Sequence, residues 1–341
     1  MNAVNATRQG RRLVYHVAER SVTIDALDTL AVDLIQKVFA DWHLIPRGEN
    51  GSCSTGCTLR IRTDSDLPSI PSGSHRFEIA DNGICHSNAA TLYLEIHNSM
   101  VVLGLPGLAD VEVWINPAGT SNFQELIRVV SYAFSSALRR CGLFELHSAA
   151  VVDPTSNEGV LIVGPSGSGK STLTTQLAAA GWPYLTDDVL MLGTRRDEIA
   201  AWPVRRCFAI TEQTLSQNQF LQTRVSFAPL GNAEKARFLP HDVFVSEFRE
   251  SCTPRSLFFS QVTHNKESRI SPLTAGEVMT RLLRMSPWAA YDKSTAREHL
   301  ACLSRLSQQC KGFDLCAGSD FLLPGKASGV MASLGQQSVK Q

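Results

Sequence analysis

Long apolar runs, a net charge and paired cysteine motifs are all missing from this 341-residue sequence. Without a run of about 18 apolar residues, no membrane-spanning helix is predicted. The first residues include arginines but no apolar segment of the kind that a secretory signal needs, so we expect a soluble, cytoplasmic protein. Lys+Arg and Asp+Glu each number 32, and this balance argues against broad binding to nucleic acid.

The cysteines number nine, and the closest two, Cys53 and Cys57, lack the CxxC spacing of a zinc ribbon or a redox motif. We therefore predict reduced thiols with packing roles, as is usual in cytosolic proteins. A zinc ion bound by Cys53, Cys57, Cys85 and His86 is the alternative.

Residues 1–120 contain no strong chemical motif. One stretch, LDTLAVDLIQKVFADW, has the apolar spacing of an amphipathic helix, at Leu30, Val32, Ile35, Val38 and Phe39. Short alternating stretches follow, such as TLRIR, HRFEIA, ATLYLEI and VEVWIN, and turn signals between several of them predict antiparallel strands with one wet face. We expect a smaller α+β domain that recognises a peptide by strand addition, mediates oligomerisation or serves only as a scaffold.

A longer helix is predicted over 121–142. Its apolar stripe comprises Phe123, Leu126, Ile127, Val130, Phe134 and Leu138. Asn122 and Glu125 have the spacing of a capping box, and Cys141-Gly142 follows as a stop signal. This helix is interpreted as the bridge to a catalytic domain over 143–323, and the polar residues 324–341 are expected to form a flexible tail.

The strongest motif is a glycine-rich phosphate loop. It matches G-x-x-x-x-G-K-[ST] in full, between the apolar strand VLIV and the helix-forming TLTTQLAAA; its residues, with the adjoining Thr172, are Gly164, Pro165, Ser166, Gly167, Ser168, Gly169, Lys170 and Ser171. Glycines let the backbone wrap closely around one phosphate, and the helix N-terminus adds partial positive charge. We expect Lys170 to reach the β- and γ-phosphates of ATP and Ser171 to help hold Mg²⁺.

An acidic pair, Asp187-Asp188, follows the loop after one helix and a turn. A short crossover of this length returns the pair near the end of the loop's own strand. Adjacent carboxylates point to opposite sides of an extended chain, so one can face Mg²⁺ while the other faces an incoming hydroxyl. A surface turn or a helix N-cap is the alternative interpretation of such a pair.

Weaker candidates are one histidine and two pairs of cations. His147 lies on the strand FELHSAAVV, which precedes the strand of the loop. It could pair with an aspartate and tune its proton affinity, although a lone histidine is more often a packing residue. Arg205 and Arg206 in WPVRRC, and Lys235 and Arg237 in EKARFLP, could contact phosphate or an acidic acceptor. Solvated surface pairs are the alternative for these cations.

Taken together, LHSAAVV, GPSGSGKST and LTDDVLML resemble the HPr serine kinase/phosphorylase family, and in particular its shorter HprK-related serine kinases. The resemblance extends over 143–322 and implies an α/β fold, namely a P-loop kinase domain with a mixed central sheet that is shared with the nucleotide domain of phosphoenolpyruvate carboxykinase. It implies that Lys170 and Ser171 bind phosphate and Mg²⁺. It also implies that Asp187 and Asp188 divide the metal-binding and general-base roles, with His147 supporting the base.

The downstream segment centred on Gly-Arg-Asn, which in that family is linked to the reverse, phosphate-dependent reaction, is missing from the sequence. The resemblance therefore implies a one-way kinase that transfers the γ-phosphoryl group of ATP to a serine of a protein or precursor peptide. Family members are often oligomers, so a homo-oligomer is also implied. A kinase of a small hydroxylated metabolite and a nucleotide-responsive binding protein without phosphotransfer are the alternatives.

Overall fold

The structure, a computed structural model, describes residues 10–41, 55–79, 83–88, 91–96, 98–116, 123–216, 218–227, 235–323 and 325–336. The chain divides into two compact units, Met1–Leu143 with Asp292–Ala296, and Phe144–Tyr291 with Arg297–Gln341. No helix in the described ranges is long and apolar enough to cross a bilayer. The described cysteines are free thiols, and all but Cys316 are buried, which matches the predicted packing role.

The first unit contains one mixed sheet. Its strands are β1 (Arg11–Val17), β2 (Arg20–Ala26), β3 (Thr55–Thr63), β4 (His75–Ile79), β5 (Gly83–Ser87), β6 (Leu92–Ile96), β7 (Ser99–Leu103) and β8 (Val111–Ile115), in the order β1-β2-β3-β8-β7-β6-β5-β4. The predicted antiparallel pairing holds except at β3, which runs parallel to both β2 and β8. Helix α1 (Thr29–Asp41) separates β2 from β3, and a helical connection lets the chain return in the same direction.

Helices α1 and α2 (Phe123–Arg140) pack on this sheet. In α1, Ile35, Val38 and Phe39 are buried as predicted, but Leu30 is exposed and Ala31 and Leu34 complete the buried face instead. In α2 the described side chains of the predicted stripe are all buried, namely Leu126, Ile127, Val130, Phe134 and Leu138. The Phe123 side chain and the predicted cap at Asn122 lie outside the described part of the chain.

The predicted wet face is present only on part of this sheet. Burial alternates along β1 and β2, whereas every residue of β7 and β8 is buried. An apolar cluster covers this part of the sheet. It contains Tyr93, Met100, Val102 and Trp114, and Leu67, Ile70 and Leu105 pack against it. The loop after β3 therefore supplies apolar residues to a face that the alternating pattern assigned to water.

The second unit is built on another mixed sheet, in the order β13-β12-β9-β10-β16-β18-β17, with β11 also paired with β9. Its strands are β9 (Phe144–Val152), β10 (Gly159–Val163), β11 (Tyr184–Thr186), β12 (Val189–Arg195), β13 (Glu198–Pro203), β16 (Pro254–Val262), β17 (Arg269–Leu273) and β18 (Lys311–Ala317). The pairs β10–β16 and β16–β18 are parallel and the others are antiparallel. A separate antiparallel ribbon comprises β14 (Phe208–Thr211) and β15 (Lys235–Phe238). The predicted α/β class and mixed central sheet are confirmed.

Helices cover this second sheet. They are α3 (Lys170–Ala179), α4 (Glu212–Ser216), α5 (Gln219–Gln222), α6 (Ala275–Met285), α7 (Trp288–Tyr291), α8 (Ala296–Gln309) and α9 (Lys326–Gln336). Strand β10 is buried along its whole length because its alternate side chains enter two core clusters. Leu161 and Val163 belong to the cluster that includes residues of α6 and α8, whereas Val160 and Ile162 belong to the cluster that includes residues of α3.

The C-terminal stretch that was expected to be a flexible tail instead forms helix α9. Ala327 and Met331, which are four residues apart and therefore lie on one face of the helix, are buried in the same cluster as residues of α3. Val330 also packs against this cluster, so apolar residues at helical spacing place one face of α9 in the core although the segment is largely polar. Residues 337–341 lie outside the described residues.

Candidate active site

Strand β9 positions the candidate site because it pairs on both sides with strands that end or begin there. Val163, the last residue of β10, is paired with Ser148. Val189, the first residue of β12, is paired with His147 on the other side of β9. The loop after β10 and the residues before β12 therefore emerge beside the same two residues of β9.

The glycine-rich loop connects β10 to the first residue of α3 in a tight turn. Gly167 and Gly169 have φ values of +81° and +89°, in the left-handed region that favours glycine. A Cβ atom at Gly164 would lie 2.4 Å from Ser168 Oγ and 2.8 Å from the carbonyl oxygen of Ser260. The backbone conformation and the close packing both require glycine here, and the loop leads into a helix N-terminus, which is a favourable place for a phosphate.

Lys170, the first residue of α3, folds back onto this loop. Its Nζ donates hydrogen bonds to the carbonyl oxygens of Gly164, at 2.7 Å, and Pro165, at 3.0 Å. Burial, followed by the charge of Lys235, lowers the pKa of Lys170 to about 8, and Asp187 opposes this shift. The lysine amine is therefore held within the loop that would surround a phosphate.

Asp187 and Asp188 lie at the bend between β11 and β12. The Asp187 side chain is buried, and its Oδ2 accepts a hydrogen bond of 3.0 Å from the backbone N–H of Ala209. Its Oδ1 is buried without a hydrogen-bond partner of normal geometry among the described residues. Ser171 Oγ lies 3.5 Å from the backbone oxygen of Asp187, and the Ser171 hydroxyl also interacts with the Asp187 carboxyl group and lowers its pKa.

The electrostatics of Asp187 also suit a cation. Burial raises the pKa of its carboxyl group, while the charge of Arg205 and the hydrogen bond from Ala209 oppose that rise. Hydroxyl and carboxylate oxygens are the ligands that Mg²⁺ takes from proteins. The Ser171 hydroxyl and the Asp187 carboxylate, which interact with each other, therefore fit a Mg²⁺ ion that also contacts nucleotide phosphates.

Asp188 lies beside His147 and is more accessible than Asp187. Asp188 Oδ1 is 2.9 Å from His147 Nε2, and the two side chains are 32% and 36% exposed. Burial, followed by the charges of Lys170, Arg205 and Lys235, lowers the pKa of His147 to about 4. At neutral pH the imidazole is therefore uncharged, and its Nε2 is within hydrogen-bond distance of the carboxylate.

The two neighbouring arginines occupy different environments. Arg205 Nη2 contacts Asp188 Oδ2, and the Arg205 side chain is only 14% exposed. Arg206 is 43% exposed, lies 3.5 Å from Glu250 and is stacked over the ring of Phe248. Arg205 therefore belongs to the candidate site, whereas Arg206 is a surface cation.

The ribbon of β14 and β15 borders the site and contributes the predicted cations Lys235 and Arg237 together with one residue, Ala209, that the sequence did not mark. Ala209, which holds Asp187, acts through its backbone N–H, so no residue type marks the position. Lys235 is paired with Thr211 on this ribbon and acts on Lys170 and His147 through its charge. Burial lowers the pKa of Arg237, its neighbour on β15.

A chain of hydroxyl groups extends from the loop helix to this ribbon. Thr172 Oγ1 is 3.3 Å from Thr214 Oγ1, which is 3.0 Å from Thr211 Oγ1. In the loop itself, Ser168 Oγ is 3.3 Å from Ser260 Oγ, while Ser166 is exposed at the tip. The predicted loop residues thus divide into a buried, hydrogen-bonded part and an exposed tip.

The alternative zinc site receives no support from the described residues. Cys53 lies outside them, and within them no three His, Cys, Asp or Glu side chains form a group that could hold a metal ion. Cys57 and Cys85 are buried thiols of the first sheet.

Comparisons with known proteins found similarity among solved structures only. A scan against models of protein families found no match to this chain. A search of curated proteins found no match either. Among solved structures, the chain is similar to the Hpr(Ser) kinase/phosphatase from Coxiella burnetii, with 12% sequence identity and a TM-score of 0.32 over 57% of this chain and 90% of that chain. At this identity the similarity does not indicate an activity, so the function of this chain has to be argued from its own residues.

Proposed function

We propose that this protein is an ATP-dependent, Mg²⁺-requiring kinase that transfers the γ-phosphoryl group to a serine hydroxyl of a protein or peptide. The observation that carries the proposal is the contact of 2.9 Å between His147 and Asp188 beside a complete phosphate loop. A phosphate loop alone supports only nucleotide binding. A half-exposed carboxylate with a neutral histidine beside it adds a group that can accept a proton from a hydroxyl.

The nucleotide is held by the loop and by Lys170. Backbone N–H groups at the start of α3 and the lysine amine supply positive charge to the phosphates. Lys170 then exchanges its hydrogen bonds with the carbonyl groups of Gly164 and Pro165 for contacts with phosphate oxygens. In the proposed mechanism, catalysis comes mainly from the positioning of the reactants and from electrostatic stabilisation of the transition state.

The accessibility of the two aspartates supports a division of roles that the sequence left open. Asp187 is buried and its carboxyl group interacts with the Ser171 hydroxyl, so these two residues would hold Mg²⁺. When bound, Mg²⁺ neutralises charge on the β- and γ-phosphates. Asp188 is 32% exposed, so an incoming hydroxyl can reach it.

Asp188 is thus the general base of the proposal, and His147 is its positioning residue. The serine Oγ attacks the γ-phosphorus, the bond from that phosphorus to the bridging oxygen breaks, and ADP leaves with the bonding electrons. The serine proton passes to the Asp188 carboxylate. Because the His147 imidazole is neutral, its Nε2–H can orient the carboxylate without cancelling its charge.

The first unit would provide acceptor recognition or self-association. Strands β1 and β4 form the two edges of its sheet, and an edge strand can pair with an extended peptide or with another copy of the chain. Light scattering gives the mass in solution, and fluorescence anisotropy with the acceptor peptide gives its affinity. A monomer that binds no acceptor would contradict both roles.

The experiment that tests the kinase proposal is incubation with γ-labelled ATP, Mg²⁺ and candidate acceptors, followed by mass spectrometry of the products. We expect phosphoserine on a protein or peptide, and far less of it in the same time with the Asp188→Asn variant. A free phosphate ester of a small hydroxylated compound would assign the enzyme to small-molecule kinases. Nucleotide binding without transfer to any hydroxyl would overturn the proposal.

A further inference from the structure

Arg205 engages the same carboxylate that the kinase proposal uses as its base. Its Nη2 contacts Asp188 Oδ2, while Asp188 Oδ1 lies 2.9 Å from His147 Nε2. Both oxygens of Asp188 are therefore engaged by side chains of the protein itself. Each oxygen keeps a free lone pair, but a guanidinium on Oδ2 disfavours the protonated form of the carboxyl, so Asp188 becomes a better proton acceptor when Arg205 is released.

Of the two contacts of Asp188, the one with Arg205 can be released, because the guanidinium can form hydrogen bonds with another partner. Its Nε is buried and has no hydrogen-bond partner among the described residues, so the guanidinium has spare donor capacity inside the site. The carboxylates on which its charge acts include Asp187, the proposed Mg²⁺ ligand. The guanidinium is thus close to both aspartates, and a planar fork of donors matches the oxygens of a phosphoryl group.

We propose that Arg205 moves from Asp188 to the γ-phosphoryl group during transfer, and that it is a catalytic residue of the reaction. This inference rests on the proposed kinase function. As the serine Oγ approaches the phosphorus, the guanidinium stabilises negative charge on the transferred oxygens, and Asp188 Oδ2 becomes free to take the serine proton. Arg205 keeps its own protons throughout, because guanidinium is not deprotonated in proteins.

The same exchange links the base to the presence of ATP. With ADP in the site there is no γ-phosphoryl group for the guanidinium to contact, so Arg205 stays on Asp188. With ATP, the terminal phosphate competes for the guanidinium and releases the base. Lys235 also contributes charge to the site, but it lies on β15 and is exposed, whereas Arg205 touches the base itself.

The test compares Arg205→Ala, Arg205→Lys and the matched control Arg206→Ala by kcat, KM and the dissociation constant of ADP. We expect Arg205→Ala to lower kcat about 10²–10³-fold, which is typical for the loss of a donor to transition-state charge. ADP affinity should be unchanged, because ADP lacks the γ-phosphoryl group. Arg206→Ala should change kcat by no more than about twofold, as for other surface substitutions. Arg205→Lys keeps the charge without the fork, so its kcat should lie between wild type and Arg205→Ala.

Free guanidinium ion in the assay distinguishes a catalytic role from a structural one. It should restore part of the activity of Arg205→Ala and leave Arg206→Ala unchanged. Equal kcat values for these two variants would overturn the inference. So would a parallel loss of kcat and ADP affinity without rescue, because that pattern indicates a structural role.

If Arg205→Ala does not fold, a wild-type kcat for Arg205→Lys overturns the inference, and a reduced kcat with normal ADP affinity supports it. Wild-type protein that transfers no phosphoryl group would overturn the kinase proposal itself, and this inference with it.

Discussion

Asp188 Oδ1 lies 2.9 Å from His147 Nε2, and the pairing of two strands creates this contact. Val189 is paired with His147 across the antiparallel strands β12 and β9, so the residue before Val189 emerges beside the imidazole. On the other side of β9, Ser148 is paired with Val163, after which the phosphate loop begins. One strand therefore brings a candidate base and a candidate nucleotide site together.

The Asp188→Asn substitution tests the base directly. Asparagine keeps the shape of the side chain but cannot accept the serine proton. We expect kcat for phosphotransfer to fall about 10²–10⁴-fold, the usual contribution of general acid–base catalysis. The affinity for Mg²⁺·ADP should stay at the wild-type value in a calorimetric titration, because the carboxylate of Asp188 does not hold the nucleotide. Loss of nucleotide binding together with activity would contradict this role.

The Asp187→Asn substitution should weaken Mg²⁺ binding, which Asp188→Asn should leave unchanged. Its amide oxygen can still accept the hydrogen bond from Ala209, so the local structure should be kept, but the charge for the metal is lost. We expect the gain in ADP affinity that Mg²⁺ gives the wild-type protein to disappear. Calorimetry with Mg²⁺ and with chelator measures this gain, and Asp188→Asn serves as the control that retains it. An unchanged Mg²⁺ dependence in Asp187→Asn would exclude Asp187 as a metal ligand.

The neutral state of His147 has an identified electrostatic cause. Burial is the largest contribution to its low pKa, and the charges of Lys170, Arg205 and Lys235 add to it. Glu145 acts in the opposite direction. Because the pKa is about 4, the imidazole stays uncharged through the neutral pH range and becomes protonated only under strongly acidic conditions.

Removing one of these cations should therefore raise the pKa of His147. Lys235 is exposed on β15, so Lys235→Met can remove its charge with little effect on packing. In a pH titration of the imidazole C–H signals by NMR, we expect the His147 midpoint of the variant to lie above the wild-type value of about 4. Lys266 is an exposed lysine between β16 and β17, and Lys266→Met should leave the midpoint unchanged. A midpoint that does not move in Lys235→Met would show that the ribbon does not act on the site.

The glycine-rich turn between β10 and α3 could be predicted from the sequence because its backbone conformation depends on residue types at fixed spacing. The different environments of Asp187 and Asp188, on which the proposed division of roles rests, could not be predicted. Asp187 is buried and accepts a hydrogen bond from the backbone N–H of Ala209 on β14, a contact that no residue type marks. The difference between Arg205 and Arg206 also depends on tertiary contacts, since identical side chains one residue apart meet Asp188 in one case and Glu250 in the other.

The same limit explains the differences in the fold. Alternation along the strands marked their positions but not the direction of β3, which the connection through α1 determines. The buried positions of β7 and β8 depend on Leu67 and Ile70, which lie in an irregular loop without periodicity. Local patterns specify elements, whereas long-range contacts specify which of their surfaces are covered.

Gly164 tests the packing of the loop. In Gly164→Ala the added methyl would collide with Ser168 and with the carbonyl oxygen of Ser260, so the loop has to shift. We expect ADP affinity to fall while the unfolding temperature changes little, because the collision is confined to the loop. Gly276→Ala is the matched control, since a Cβ there meets nothing within 4 Å and the residue lies in helix α6. Equal ADP affinities for the two variants would contradict the close packing.

The first unit contains a buried carboxylate, Asp292, that pairs with two arginines. Asp292 Oδ2 lies 3.2 Å from Arg139 Nε and 2.7 Å from Arg140 Nη1, and the side chains of Asp292 and Arg139 are almost fully buried. Burial raises the pKa of Asp292, but the hydrogen bond from Arg140 and the charges of both arginines outweigh it, so the pKa lies below its ordinary value. The carboxylate therefore remains ionised in the folded protein.

Asp292→Asn should destabilise the protein in a pH-dependent way. Removing one partner of a buried pair leaves the other charge uncompensated, which typically costs about 3–5 kcal/mol. In the wild-type protein, the contribution of Asp292 is fully present above the ordinary aspartate pKa and is lost as pH falls through the lower pKa of the folded state, because the unfolded chain takes up the proton first. Urea denaturation at a series of pH values should thus give a difference in the free energy of unfolding between wild type and Asp292→Asn that is largest at neutral pH and shrinks in acid.

The control is Asp66, an exposed aspartate of the same unit. Asp66→Asn should change the free energy of unfolding by no more than about 0.5 kcal/mol at any of these pH values. A difference for Asp292→Asn that stays constant down to strongly acidic pH would mean that the negative charge of Asp292 is not what stabilises the segment.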